Sequence, residues 1–175
     1  GITFNSNGTF SGTANAETSN TVYTFTIRAT ANSKTTDRQY TITVNAPIAT
    51  GGTITSVGGY TYHTFTSSGN FVVVQPKSVE YLLVAGGGGG GGGNIGSAWG
   101  AGGGGAGGVI DSTLSTSAQT YAIVIGNGGG GDTAGSSGRG ANGQNSTAFG
   151  QTATGGGGGG TRLGTEDGAN GGSGG

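Results

Sequence analysis

His63, Asp132 and the adjacent pair Glu166-Asp167 are the first residues to weigh for chemistry in this sequence. A lone histidine without cysteine partners cannot build a zinc or copper site, which needs three or four nitrogen or sulfur ligands. His63 sits in the alternating stretch Tyr60-Thr61-Tyr62-His63-Thr64-Phe65-Thr66, so it reads as a strand-face residue. Asp132 beside Gly131, and Glu166-Asp167 beside Gly168, could offer carboxylate and carbonyl oxygens to calcium. No Asp-x-Asp-x-Asp-Gly loop or Gly-Gly-x-Gly-x-Asp array accompanies them, and solvated turn residues are the better reading. Gly88-x-Gly90-x-x-Gly93 formally fits a dinucleotide fingerprint, but inside an eight-glycine run the match is automatic, and no helix pattern follows. Serine and threonine abound with no base to activate them. No catalytic residue, metal or cofactor is expected.

What stands out instead is bulk set among glycine: Asn94, Ile95 and Trp99 in Asn94-Ile95-Gly96-Ser97-Ala98-Trp99, Arg139, Phe149, and Arg162-Leu163. A polyglycine scaffold offers almost no side-chain core, so Ile95, Trp99, Phe149 and Leu163 could plug its ends or seal a neighbouring β layer. The functional alternative sets the stretches 94–99, 132–142 and 161–167 as contact loops, because Trp, Tyr and Arg dominate binding energy at interfaces. On that reading Asn94, Ile95, Trp99, Arg139, Arg162 and Leu163 are the contact candidates.

These residues must be held by elements that the rest of the chain supplies. Of its 175 residues only 7% are charged, the net charge is −1, and the six basic residues are scattered. That argues against electrostatic binding of nucleic acid or anionic membrane. No apolar run approaches the roughly 18–20 residues needed to span a bilayer, and no signal-peptide pattern opens the chain. Methionine is absent even at position 1, so the chain reads as a fragment or processed product of a longer protein.

Residues 1–46 alternate apolar and polar in short stretches. Tyr23, Phe25, Ile27 and Ala29 share one face, Tyr40, Ile42 and Val44 repeat the pattern, and Asn32 to Asp37 reads as a polar turn between them. Gly1 to Gly12 reads as two short strands around an Asn7-Gly8 turn. Residues 47–59 look like a joint containing one short Thr-Ile-Thr strand. Tyr60 to Thr66 and Phe71 to Val74 read as a hairpin across the loop 67–70. Val79 to Ala85, apolar on both faces from Tyr81, reads as a strand covered on both sides.

From Gly86 onward the chain carries 38 of its 46 glycines, in runs at 86–93, 102–105, 128–131 and 155–160. The strands Gly107 to Ile110 and Thr120 to Ile125 interrupt them. A flexible linker is the default reading of such tracts, but Tyr121 to Ile125 would expose its apolar face between unstructured flanks. Polyglycine has a packed alternative. Polyproline-II-like helices of three residues per turn can pack side by side, parallel or antiparallel, with N–H groups bonding between neighbours. Only glycine lets backbones approach that closely.

Two resemblances attach to these residues. Gly1 to Phe4, Gly8 to Thr13, Tyr23 to Ala29 and Tyr40 to Val44 resemble, in order and spacing, the C-terminal half of bacterial and phage immunoglobulin-like repeats, whose first strands would lie upstream. Phe71 to Val74, then Val79 to Gly91, Gly102 to Val109, Tyr121 to Gly129, Gly143 to Gly150, Ala153 to Gly160 and Gly168 to Gly175 resemble the glycine-rich domains of phage tail fibres, of the T-even-like distal adhesin type. The first resemblance covers about a quarter of the chain and the second roughly residues 60–175.

The expected fold is therefore all-β: a partial Ig-like β-sandwich (1–46), a linker (47–59), and a β/polyglycine-II bundle (60–175). The resemblance implies a virion component outside the cell, attaching to a host surface protein or glycan without catalysis. It implies other tail-fibre chains as partners, in a homotrimer, and neither nucleic-acid binding nor membrane insertion. Two alternatives belong to other classes: a structural spacer that trimerises the fibre, and a self-associating or ice-binding surface protein.

Overall fold

A computed structural model describes residues 1–15, 17, 19–93, 100–133, 138–161 and 167–172. The described chain is all-β and divides into two units, Gly1–Ala49 and Thr50–Gly175.

In the first unit β1 (Ile2–Phe4) pairs antiparallel with β2 (Phe10–Gly12), and β3 (Thr21–Ala31) pairs with β4 (Lys34–Val44). The expected polar turn is shorter than six residues. Pairing runs on to Ala31 opposite Lys34, so only Asn32 and Ser33 turn the chain, with φ of 50° and 60°. Two successive positive φ values make a type I′ turn, whose twist matches that of the strands it joins. The pleat then puts Phe25 beside Tyr40, and a row of rings joins the two hairpins: Phe4 to Phe10 at 5.1 Å, Phe10 to Phe25 at 5.4 Å, and Phe25 to Tyr40 at 5.9 Å. Phe4, Phe10, Tyr23 and Tyr40 nevertheless stay substantially exposed.

In the second unit β6 (Thr53–Val57) and β7 (Tyr60–Thr64) form a hairpin around Gly58-Gly59, both glycines at positive φ. The sequence suggested instead that the strand at Tyr60 would pair forward with the one at Phe71. The Gly-Gly turn accounts for the difference, since it is the two-residue loop that a type I′ hairpin requires. β8 (Gly69–Val73) lies between β5 (Ala49–Thr50) and β11 (Thr120–Ile123). Among the described residues β9 (Ser78–Val84) pairs only with β10 (Val109–Ser115). The expectation of a doubly covered strand at 79–85 therefore fails. Leu83 and Ala85 are buried, whereas Leu82 and Val84 face out, 67% and 49% exposed. β12 (Ser146–Ala148) and β13 (Gln151–Ala153) close a last hairpin.

The apolar core of this unit lies among these strands and is small: Phe71, Val73, Leu83, Ile123, Ala148 and Ala153. Phe149 completes it. Its ring lies 4.9 Å from Tyr81, 5.2 Å from Tyr121 and 6.0 Å from Phe71. Phe149 and Gly150 form the turn of the β12–β13 hairpin, and Phe149 takes a φ of 54°. That left-handed conformation costs about 1–2 kcal/mol for a residue with a Cβ, offset by three aromatic contacts each worth about 0.5–1.5 kcal/mol. Of the two readings for the bulky residues, Phe149 takes the structural one: it seals the β layer.

The glycine runs are folded as rods. Rod A (85–93) continues from β9, rod B (100–108) leads into β10, rod C (126–133) follows β11, rod D (138–145) leads into β12, rod E (154–161) leaves β13, and rod F (167–172) comes last. Their amides bond between rods at 2.7–3.0 Å with a strict period of three. Ala85, Gly88 and Gly91 donate to Gly108, Gly105 and Gly102 of rod B; Gly86, Gly89 and Gly92 donate to Gln144, Ala141 and Gly138 of rod D. Rods C and E donate back to rod A from Gly129 and Asp132, and from Gly156 and Gly159. A three-residue period is the signature of the polyproline-II helix. Rising against falling residue numbers show that rods A, C and E run one way and rods B, D and F the other.

Glycine is obligatory at the interior positions. A Cβ on Gly88 would stand 2.0 Å from the Gly157 carbonyl oxygen, and one on Gly159 would stand 2.1 Å from that of Gly102. Where rods face outward the restriction lifts: a Cβ on Gly103 or Gly130 would meet nothing within 4 Å, and Ala106 occupies the next turn after Gly103.

Candidate binding surface

Alternating rod directions sort the connections between two ends. β-strands join rod B to rod C and rod D to rod E, and β9 leads into rod A at that same end. The other end belongs to the rod termini that flank 94–99, 134–137 and 162–166. Backbone bonds tie these termini together. Gly92 donates to the Gly138 carbonyl at 2.9 Å, Asp132 donates to that of Gly90 at 2.9 Å, and Ala101 bridges Thr161. Thr161, 4% exposed, donates its hydroxyl to the Gly92 carbonyl at 3.1 Å. Three connections separated by up to 70 residues of sequence thus start from one surface. Their spacing in the sequence does not reveal this; it follows from an even alternation of rod direction.

Asp132 sets the span of one of these connections. Its Oδ2 accepts the Gly138 amide at 2.7 Å, tying the end of rod C to the start of rod D. Arg139 follows directly, with its side chain exposed at this end. It is the contact candidate that falls within the described residues. Asn94, Ile95, Trp99, Arg162 and Leu163 lie outside them, as does Glu166.

Two asparagines that were not among the contact candidates hold rod D to rod E. Arg139, Asn142 and Asn145 are spaced three apart on rod D, hence on one row. Asn142 Oδ1 accepts the Gly158 amide and Asn145 Oδ1 the Gly155 amide, both at 2.9 Å. These amides belong to rod E, which is buried from Gly155 to Thr161. Without the two asparagines those donors would face no neighbouring rod. The signal was present as Asn-x-x-Asn, but it has meaning only once the three-residue period is known.

His63 lies away from these termini. Its Nδ1 donates to the Gly51 carbonyl at 2.8 Å and its ring packs edge-on against Phe71 at 5.0 Å. Among the described residues no group of three or more His, Cys, Asp or Glu side chains could hold a metal ion.

Two family models match. The one described as Glycine-rich domain covers residues 64–175, and the one described as Putative Ig domain covers residues 1–45. No curated protein and no solved structure matches the chain.

Proposed function

We propose that this chain, which belongs to the Glycine-rich domain family, is a host-attachment component of a phage tail fibre that binds a surface protein or glycan without catalysis. One observation carries the reading: the three connections 94–99, 134–137 and 162–166 depart from one end of a rigid bundle. Binding residues are commonly carried on loops positioned by a rigid scaffold. Here the scaffold is backbone packed on backbone, so the residues that connect the rods can vary in sequence without disturbing a side-chain core. The same connections hold Trp99 and Arg162, and Arg139 stands at the base of one of them. Partners in a fibre would be other tail-fibre chains, and the setting is the virion surface.

The test is binding of the full chain to susceptible and resistant host cells, beside Trp99→Ala and the double variant Arg139→Ala/Arg162→Ala. Selective binding to susceptible cells, lost in the variants while the far-UV spectrum is unchanged, is the expected outcome. Equal and negligible binding to both cell types sinks the attachment reading in favour of a structural spacer.

A further inference from the structure

Among the described residues, rod A has neighbouring rods on every side but one. Exposure along it repeats with the rod's own period: Gly86, Gly89 and Gly92 are buried, while Gly87, Gly88, Gly90 and Gly91 are each half-buried. Four rods account for the buried sides. In order around rod A they are B, E, D and C, because B bonds E, E bonds D and D bonds C, and all four bond A. Six neighbours would surround a rod in a fully packed array of this kind. The missing arc lies between C and B, and there, among the described residues, the Gly87 and Gly90 amides have no hydrogen-bond acceptor and the Gly88 and Gly91 carbonyls no donor. On rod E the comparable amides, Gly155 and Gly158, are taken up by asparagine side chains. Among the described residues no side chain plays that part on rod A.

We propose that this groove, independent of the attachment surface above, is a binding site for an extended peptide of a partner protein in the polyproline-II conformation with glycine at every third position. The period decides the conformation. Gly87 and Gly90 stand three residues apart, about 9.3 Å at 3.1 Å per residue, and a polyproline-II guest offers one carbonyl per turn at that repeat. A β-strand repeats every two residues, about 6.6–6.8 Å, and falls out of register after one bond. The composition follows from the rod contacts already present. A Cβ turned toward a neighbouring rod meets its backbone oxygen at about 2 Å, as at Gly86, Gly89 and Gly143, so the guest needs glycine where it faces rod A. Its other two residues face solvent or the flanks of rods B and C and are free to vary, proline included. This is the polyproline-II counterpart of adding a strand to an open sheet edge, with the main chain supplying affinity and the glycine period supplying selectivity.

The floor of the groove permits a clean block. A Cβ on Gly87 or Gly90 would have its nearest contact at 3.6 Å, an ordinary packing distance. Gly87→Ala/Gly90→Ala therefore keeps the fold while lining the groove with methyl groups. The experiment is NMR titration of the ¹⁵N-labelled full chain with the peptide acetyl-(Gly-Pro-Ala)4-amide, beside a peptide of the same composition with its glycines out of period. The periodic peptide is expected to shift the Gly87 and Gly90 amide signals and slow their hydrogen exchange. Gly86 and Gly89, already bonded to rod D, should be left unchanged. The scrambled peptide and the double-alanine variant are each expected to show no binding. Equal response to both peptides, or undiminished binding by the variant, would overturn the proposal. So would a concentration-dependent self-association of the chain that the variant abolishes, since the occupant would then be a second copy.

Discussion

Asn142 Oδ1 accepts the Gly158 amide at 2.9 Å across two rods of the glycine-rich bundle. This bond is one of the few places where a side chain, rather than the backbone, holds the bundle together. A buried donor stripped of its partner costs about 1–3 kcal/mol. Asn142→Ala should therefore lower the stability of the full chain by that amount in urea unfolding. Asn142→Asp, which keeps an acceptor oxygen at the same reach, should cost less. An alanine variant as stable as the native chain would show that solvent reaches Gly158 and satisfies it.

Glycines in the same run should differ sharply in tolerance. At Gly89 a Cβ would stand 2.1 Å from the Gly130 oxygen, whereas at Gly130 itself nothing lies within 4 Å. Gly89→Ala should force the rods apart and abolish cooperative unfolding. Gly130→Ala should be neutral or stabilising by about 0.4–1 kcal/mol, because it lowers the entropy of the unfolded chain. Thermal melts of the two variants, run side by side, decide the matter; similar losses in both would refute rod packing at Gly89.

The Phe149 ring ties three strands together by packing on Tyr81 of β9, Tyr121 of β11 and Phe71 of β8. Truncating a fully buried phenylalanine costs about 3–5 kcal/mol. Phe149 is half-buried, so Phe149→Ala should cost about 2–3 kcal/mol, with loss of the near-ultraviolet signal from the two tyrosines. Phe149→Gly relieves the positive φ and should recover part of the loss, although it removes the same ring. The test is the order of stabilities: native, then glycine, then alanine.

Across the β3–β4 hairpin Arg28 and Asp37 are directly opposed and form two bonds, Nε to Oδ1 and Nη2 to Oδ2, each 2.7 Å. The guanidinium hydrogen bonds hold the Asp37 carboxyl below the usual carboxylate range, against a smaller opposing effect of desolvation. A folded value below the unfolded one means that the pair stabilises the chain above the unfolded carboxylate pKa. The contribution fades as pH falls through the lowered folded value. An NMR titration of the Asp37 side chain should show this depressed midpoint, and Arg28→Ala should return it to the ordinary range. An unchanged midpoint in the variant would assign the depression to some other group.

Several features were legible in the residues alone because they depend on neighbours in sequence. Period-2 alternation marked Tyr23 to Ala29 and Tyr40 to Val44 as strands, and the eight-glycine run after Val79 to Ala85 marked the start of a packed glycine rod. The pairings were less accessible. The strand at Tyr60 turns back on Thr53–Val57 rather than forward on Phe71, since Gly58-Gly59 offered a tighter turn than the loop 67–70. Leu82 and Val84 looked buried by composition, but β9 has one neighbouring strand and one covered face. Asn142 and Asn145 carried no message until a partner rod three residues per turn stood opposite them.

By itself the sequence determined where backbones could touch, because only a residue without a Cβ permits that approach, and the glycines state those places outright. It also determined that little titratable chemistry is on offer. Tertiary structure alone decided which backbones meet. Alternating rod direction gathers the termini beside 94–99, 134–137 and 162–166 at one end and sends the aromatic seal around Phe149 to the other. Among the described residues it leaves one side of rod A without a neighbouring rod, where the Gly87 and Gly90 amides and the Gly88 and Gly91 carbonyls are unpaired. Polyglycine is nearly uniform along its length, so register and direction come from the strands and hairpins that join the rods, and those are relationships between distant residues.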